Sequence, residues 1–224
     1  MIFTRNRLIA IAILVVIIVS YVGYQFMANR TINELEKVEI KEYKGQQLSS
    51  IGDFRENSIN GPQYINIASY KLEVTGLVDR NITYTYDDVI NSHQLYEKVV
   101  TLNCVEGWDV TILWEGVLVN DLLKEAGINP KAKIVIFYAF DGYSTSFPLH
   151  YIVNNSIIMA YKMNGVILPP ERGFPFQLVA ESKWGYKWIK WITKIELSDN
   201  LSFKGYWESR GYSNDGNLDK PFTG

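Results

Sequence analysis

The chain has 224 residues, 47% hydrophobic and 21% charged, with a formal charge of -2. This composition belongs to globular proteins, excludes a disordered one, and gives no electrostatic footprint for nucleic acid. A single cysteine, Cys104, excludes an internal disulfide, a multi-cysteine zinc site and an iron–sulfur cluster, and two histidines, His93 and His150, exclude a histidine-rich centre. Any bound metal must therefore take most of its ligands from a cofactor.

The N-terminus has Arg5 and Arg7 followed by an uncharged apolar stretch from Leu8 to about Tyr24. At 1.5 Å per residue such a stretch reaches roughly 26–30 Å, close to the hydrocarbon thickness of a bilayer. Its length and the bulky Tyr21 and Tyr24 at its exit favour an uncleaved anchor over a signal peptide. Residues 1–28 are therefore expected to form one transmembrane helix. The preceding arginines put the N-terminus in the cytoplasm and the remaining chain outside. A twin-arginine signal needs adjacent arginines, and "TRNRL" separates them by Asn6. Residues 29–50 are polar and read as a stalk, leaving 51–224 as one domain of common size.

Strand-like runs rich in Val, Ile, Tyr and Trp follow at 70–78, 98–104, 133–140, 143–149, 156–164 and 187–197. Asn164-Gly165 is a hairpin signal joining 156–163 to "VILP". Helices are few. Thr85 with Asp88 forms a capping-box-like start for 85–92, while 119–127 has Asn120 as N-cap and Gly127 as its stop. The predicted class is α+β, dominated by mixed or antiparallel sheet.

Cysteine catalysis needs a base to form the thiolate, and His93, eleven residues before Cys104 at a helix end, has no accompanying signature. A Ser-His-Asp arrangement lacks a nucleophile elbow. By composition alone Cys104 reads as a small buried hydrophobe. Its flanks argue otherwise, because Cys104 sits at a strand-to-loop exit before Glu106-Gly107-Trp108, where sites are commonly built, and Gly107 lets the backbone turn closely around a bound group. A second constellation spans 168–197. It holds Arg172, Gly173 and Pro175 in a rigid loop, a short strand, then Lys183, Lys187 and Lys190 around Gly185. Cations beside a flexed backbone suit an anion such as phosphate; the alternative is a solvated basic edge interleaved with core Trp188, Trp191 and Ile195.

Together, "NCVEGW…WEGV…DLL…AG", "AFDGYSTSFPL", "IIMAYKMNGVILPPERGFPFQLV", "WGYKWIKWITKIEL" and "GYWESRGY" resemble, in order, the sulfite oxidase-like molybdopterin-binding domain over about residues 50 to 213. The resemblance is closest to the short, haem-free prokaryotic branch. It implies a mixed, mainly β fold and a molybdenum–molybdopterin cofactor. Cys104 would then be the metal thiolate, solitary because a pyranopterin dithiolene and oxo or hydroxo groups complete the sphere. It also implies pterin and phosphate contacts at Arg172, Gln177, Trp188, Ile189 and Lys190, with Lys187 nearby. Asp141 and Tyr143 are implied near the cofactor or substrate mouth, with Tyr143 a candidate catalytic residue, and Asn57 and Ser58 in the segment over the pterin. Gln177 stands where many members carry arginine, with Arg172 close by to compensate. The lead-in also lacks the histidine pattern of longer relatives.

The implied activity is two-electron oxygen-atom transfer on a small oxyanion or sulfoxide. No C-x-x-C-H haem site is present, so electrons would pass through a separate partner such as a membrane cytochrome. A non-catalytic pterin- or partner-binding protein on the same fold is the alternative. Export of a folded cofactor protein and the separated arginines are in tension.

Overall fold

In the computed structural model, residues 9–16 and 31–223 are described. The chain divides into two compact units, Met1–Val38 and Glu39–Gly224. In the first, residues 9–16 are helical and expose Ile9, Ile11, Ile13, Leu14, Val15 and Val16. Among the described residues no helix is long and apolar enough to cross a membrane. Most of the expected 1–28 anchor lies outside the described residues.

The second unit opens with a small hairpin, β1 (Glu42–Tyr43) and β2 (Gln46–Gln47). Two five-stranded sheets follow. One runs β4 (Ile82–Tyr84), β3 (Leu72–Gly76), β12 (Ile192–Ser198), β7 (Ile134–Ala139) and β8 (Ser144–Pro148), with β3 and β12 parallel and the other pairs antiparallel. The other runs β10 (Val166–Ile167), β9 (Ile158–Met163), β6 (Asp109–Leu118) and β5 (Tyr96–Asn103), with β11 (Gln177–Leu178) also paired to β9. All of its pairings are antiparallel. This is the expected α+β, mainly β architecture.

Local chemistry explains most of the elements. Asn164 and Gly165 take φ of 47° and 79°, the left-handed pair that a tight hairpin requires. Helix Tyr86–Ser92 starts with the expected capping box between Thr85 and Asp88. Helix Val119–Ala126 stops at Gly127 (φ 76°), but its N-cap is Leu118 and has no side-chain bond. The Asn120 side chain is instead buried inside the helix, its Oδ1 without a partner among the described residues. A further short helix, Leu149–Asn154, follows Pro148.

β6, between β9 and β5, is a strand that the expected strand-like runs do not include. Gly116 lets β6 and β9 approach: a Cβ there would lie 2.2 Å from the Met159 carbonyl oxygen. Glu115, in turn, accepts from the Gly165 amide at 2.7 Å. The expected strand over 187–197 is also corrected. A 3-10 turn occupies Gly185–Lys187, Trp191 is left-handed at φ 53°, and pairing starts only at Ile192.

The expected stalk boundary moves as well. The compact unit begins at Glu39, so residues 39–50 belong to it. Buried Glu39 accepts from the Ile51 amide and from Asn164 Nδ2, both at 3.0 Å, and Ser49 N donates to the Thr111 carbonyl at 2.8 Å. An unpaired carboxylate would not be stable there; these bonds are why a polar segment is held in place.

Candidate functional site

Cys104 occupies the five-residue loop that joins β5 to β6, whose last facing pair is Asn103 and Asp109. Its amide donates to the Trp108 carbonyl at 2.9 Å, and the Gly107 amide donates to the Cys104 carbonyl at 3.1 Å. Gly107 has φ 85°, and a Cβ there would meet nothing within 4 Å. Glycine is thus required by the turn's conformation, while Val105, Glu106 and Trp108 are the loop residues that line the site beside Cys104. The thiol is 7% exposed, with Asn57 Nδ2 at 3.7 Å from Sγ. Burial pushes it up from the ordinary cysteine value, and the backbone amides of Glu106 and Val105 and the Asn57 amide draw it partly back.

A second loop backs the thiol. Gly185 packs so closely that a Cβ would lie 3.2 Å from the Asn103 carbonyl and 3.4 Å from Cys104 Cα. A third element, the 3-10 turn Pro170–Arg172, ends at Gly173 (φ 98°), where a Cβ would crowd Lys190 at 3.0 Å and Gln177 at 3.1 Å. These elements and the lead-in from Phe54 to Gly61 enclose a cleft of about 490 Å³, within the range of small-molecule sites.

Cys104, Asn57, Ser58, Asp141, Tyr143, Arg172, Gln177, Trp188, Ile189 and Lys190 all line this one cleft. Arg172 is buried, donates to the carbonyls of Ile51 (3.1 Å) and Phe54 (3.2 Å), and lies 4.7 Å over the Phe54 ring. Lys190 Nζ donates to Glu56 (2.8 Å) and to the Glu171 carbonyl (3.2 Å). Gln177 is 3% exposed. Asp141 Oδ1 accepts from the Tyr143 amide at 3.0 Å, and burial holds its carboxyl above the ordinary range. The Tyr143 hydroxyl donates to the Tyr186 carbonyl at 2.5 Å.

Lys187 is the exception. It is fully buried and does not line the cleft. Its ammonium donates to the Ser146 carbonyl (2.7 Å), Glu208 Oε1 (2.6 Å) and the Asn214 carbonyl (3.0 Å), which uses all three N–H donors. The expected nearness to an anionic group is corrected: its counter-charge is Glu208. Residues not singled out beforehand also line the cleft, among them Glu56, Tyr186, Trp207 and Tyr212. "GYWESRGY" was a legible motif, but nothing in its spacing says that it folds back onto the site.

The residues fit a cofactor that brings its own ligands. Among the described residues no group of three or more His, Cys, Asp or Glu could hold a metal. Two cleft residues, Ser58 and Glu171, each keep a buried oxygen without a hydrogen-bond partner among the described residues. Such atoms are costly unless a ligand or water satisfies them.

A solitary buried thiol beside a cleft of this size, backed by glycine-tight loops, suits a domain whose metal arrives with an organic cofactor. The chain belongs to the oxidoreductase molybdopterin binding domain family, whose model matches residues 59–207. It is 33% identical over 152 residues to the uncharacterized oxidoreductase YuiH of Bacillus subtilis (strain 168), covering 67% of this chain and 76% of that one. It is 30% identical over 148 residues to the protein-methionine-sulfoxide reductase catalytic subunit MsrP of Gluconobacter oxydans (strain 621H), covering 58% of this chain and 47% of the relative. The chain thus spans about half of MsrP's length. The sulfane dehydrogenase SoxCD of Paracoccus pantotrophus shares the fold, with a TM-score of 0.64 at 23% identity over 71% of this chain and 44% of that one. The protein is a molybdopterin-binding oxidoreductase with a molybdenum–molybdopterin cofactor.

Proposed function

We propose that the protein is an extracytoplasmic, membrane-anchored reductase of a small neutral sulfoxide, fed by a separate electron-transfer protein. The observation that carries the substrate class is the charge of the cleft. Its ionisable lining is Glu56, Glu106, Asp141 and Glu171 against Arg55, Arg172 and Lys190. Arg172 is committed to two backbone carbonyls and Lys190 to Glu56. Glu106 stands two residues from the thiol. An oxyanion such as sulfite would approach a like-charged carboxylate there, whereas a neutral S=O group meets no such repulsion. The similarity to MsrP supports the same class.

The cofactor supplies two-electron oxygen-atom transfer when bound. The balanced step takes a sulfoxide, two electrons and two protons to a thioether and water. Cys104 would hold the metal as thiolate, oriented by the Asn57 amide. Arg172, Gln177, Trp188, Ile189 and Lys190 would border the pterin, and Ser58 has an unmet hydrogen bond to offer it. Trp108, Trp207 and Tyr212 would present aromatic faces to the substrate. The Tyr143 hydroxyl, bound to the Tyr186 carbonyl, orders the adjoining loop. The apolar stretch from Leu8 to about Tyr24 after Arg5 and Arg7 supports the anchor and its orientation. The absence of a C-x-x-C-H motif in the sequence and the naming of MsrP as a catalytic subunit support a separate electron donor, a membrane cytochrome being the class we favour.

Purified full-length enzyme, assayed with a reduced viologen dye and methionine sulfoxide, should turn over, and with sulfite and ferricyanide it should not. The opposite pattern would overturn the sulfoxide assignment. Recovery of the chain in a washed membrane fraction, with its C-terminus accessible to external protease, tests the anchor.

A further inference from the structure

Glu208 is as buried as Lys187, and the two form a fully enclosed ion pair at 2.6 Å. Thr145 Oγ1 donates to the same carboxylate oxygen at 2.6 Å, while Glu208 Oε2 has no partner among the described residues. Gly205 makes room for it, since a Cβ there would lie 2.7 Å from Oε2. A buried pair of this kind is seldom a net source of stability over apolar packing, so what it holds in place is informative. Lys187 belongs to the loop behind Cys104, Ser146 to β8, and Glu208 and Asn214 to the C-terminal segment. That segment makes further bonds to the same loop: Tyr186 Oη to the Ser213 carbonyl (2.6 Å), Trp184 N to the Gly216 carbonyl (2.8 Å), and Lys183 Nζ to the Asp215 carbonyl (2.9 Å).

The segment also bears two residues of the cleft wall, Trp207 and Tyr212, whose rings lie 5.0 Å apart. Tyr212 lies 5.0 Å from the Tyr186 ring, and Tyr186 directly follows the glycine that packs on Cys104. Both Glu208 and Tyr212 lie past residue 207, where the family match ends.

We infer that the Lys187–Glu208 pair is a latch that positions residues 205–217 as one wall of the cleft that holds the thiol, making Glu208 a positioning residue and Tyr212 a determinant of substrate fit. Removing one partner would leave an uncompensated buried charge and release the segment; Glu208→Gln also strands the Lys187 charge but keeps an acceptor oxygen for its ammonium, so it should loosen the segment more gently. The inference rests on the sulfoxide assignment only for the substrate used in its kinetic arm.

The test compares the holoenzyme with Glu208→Gln and Tyr212→Ala. Arg210 is exposed within the segment, so trypsin cleavage after it reports the latch without any substrate. Glu208→Gln should be cut there at least tenfold faster, with molybdenum content and far-UV circular dichroism retained. Both variants should raise KM for methionine sulfoxide severalfold, with a smaller change in kcat. Unchanged cleavage in a folded Glu208→Gln would overturn the latch, as would its global unfolding or loss of cofactor, because the pair would then be an ordinary core contact. Unchanged KM in Tyr212→Ala would overturn the wall's role in substrate fit. If the unmodified enzyme reduces no sulfoxide, the substrate assignment fails and the cleavage arm alone decides the latch.

Discussion

Lys187 and Lys190 lie three residues apart on one loop, and each has a glutamate partner, yet they serve opposite regions. Lys187 and Glu208 are fully buried, and the ammonium has every donor committed within the protein. Lys190 and Glu56 remain partly exposed at the cleft, with 15% and 28% of their side-chain surfaces open. The difference teaches that a lysine-bearing loop beside a cleft need not direct every cation into it. One turn of 3-10 helix at Gly185–Lys187 points one lysine into the core and leaves the other at the cleft beside Cys104.

The sharpest way to break this contrast is substitution of each lysine by methionine. Lys187→Met should cost about 3–5 kcal/mol by denaturant titration, because it strands the Glu208 charge. Lys190→Met removes a partly exposed pair worth roughly 0–1 kcal/mol, so its main effect should be lower molybdenum retention. Equal destabilisation by the two would refute the division. Next in size, Gly185→Ala forces a Cβ to within 3.2 Å of the Asn103 carbonyl; a loss of about 1–3 kcal/mol is expected from overpacking, together with slower cofactor loading. Thr85→Ala, at the capping box of helix Tyr86–Ser92, should cost about 1 kcal/mol and leave molybdenum content unchanged, which separates stability from site integrity.

The smallest effect concerns Lys183, the third lysine of the region. Burial, with Lys187 as a like-charged neighbour, lowers its ammonium to about 8, from 10.5 when unfolded. Between those values unfolding takes up a proton, so this group makes the fold more stable as pH rises from about 8. The thermal midpoint of the unmodified protein should therefore gain on that of Lys183→Met between pH 8 and 10. A constant offset would contradict the burial effect.

Much of this was legible in the sequence, for definable reasons. The Asn164-Gly165 hairpin and the Thr85–Asp88 cap are local, set by φ preferences and short-range bonds, and both form. The place of Cys104 at a strand-to-loop exit was legible because the flanking motif is short and contiguous. β6 was hidden because its glycine answers to Met159 on another strand, a contact that periodicity does not encode. Asn120 was misplaced as a cap because Leu118 starts the helix without one. Lys187 was misread because its carboxylate partner lies twenty-one residues away. Residues 39–50 looked like a stalk because the polar Glu39 gives no hint that Asn164 and Ile51 will satisfy it.

The central claim is that one thiol in the β5–β6 loop holds a molybdenum whose other sulfurs come from a pterin. Its most direct test is metal and pterin analysis of the full-length protein and of Cys104→Ala, both made in a host that synthesises molybdopterin. Stoichiometric molybdenum with pterin in the unmodified protein, and loss of molybdenum in the variant, is the result expected. Molybdenum absent from the unmodified protein, or retained undiminished without the thiol, would contradict it.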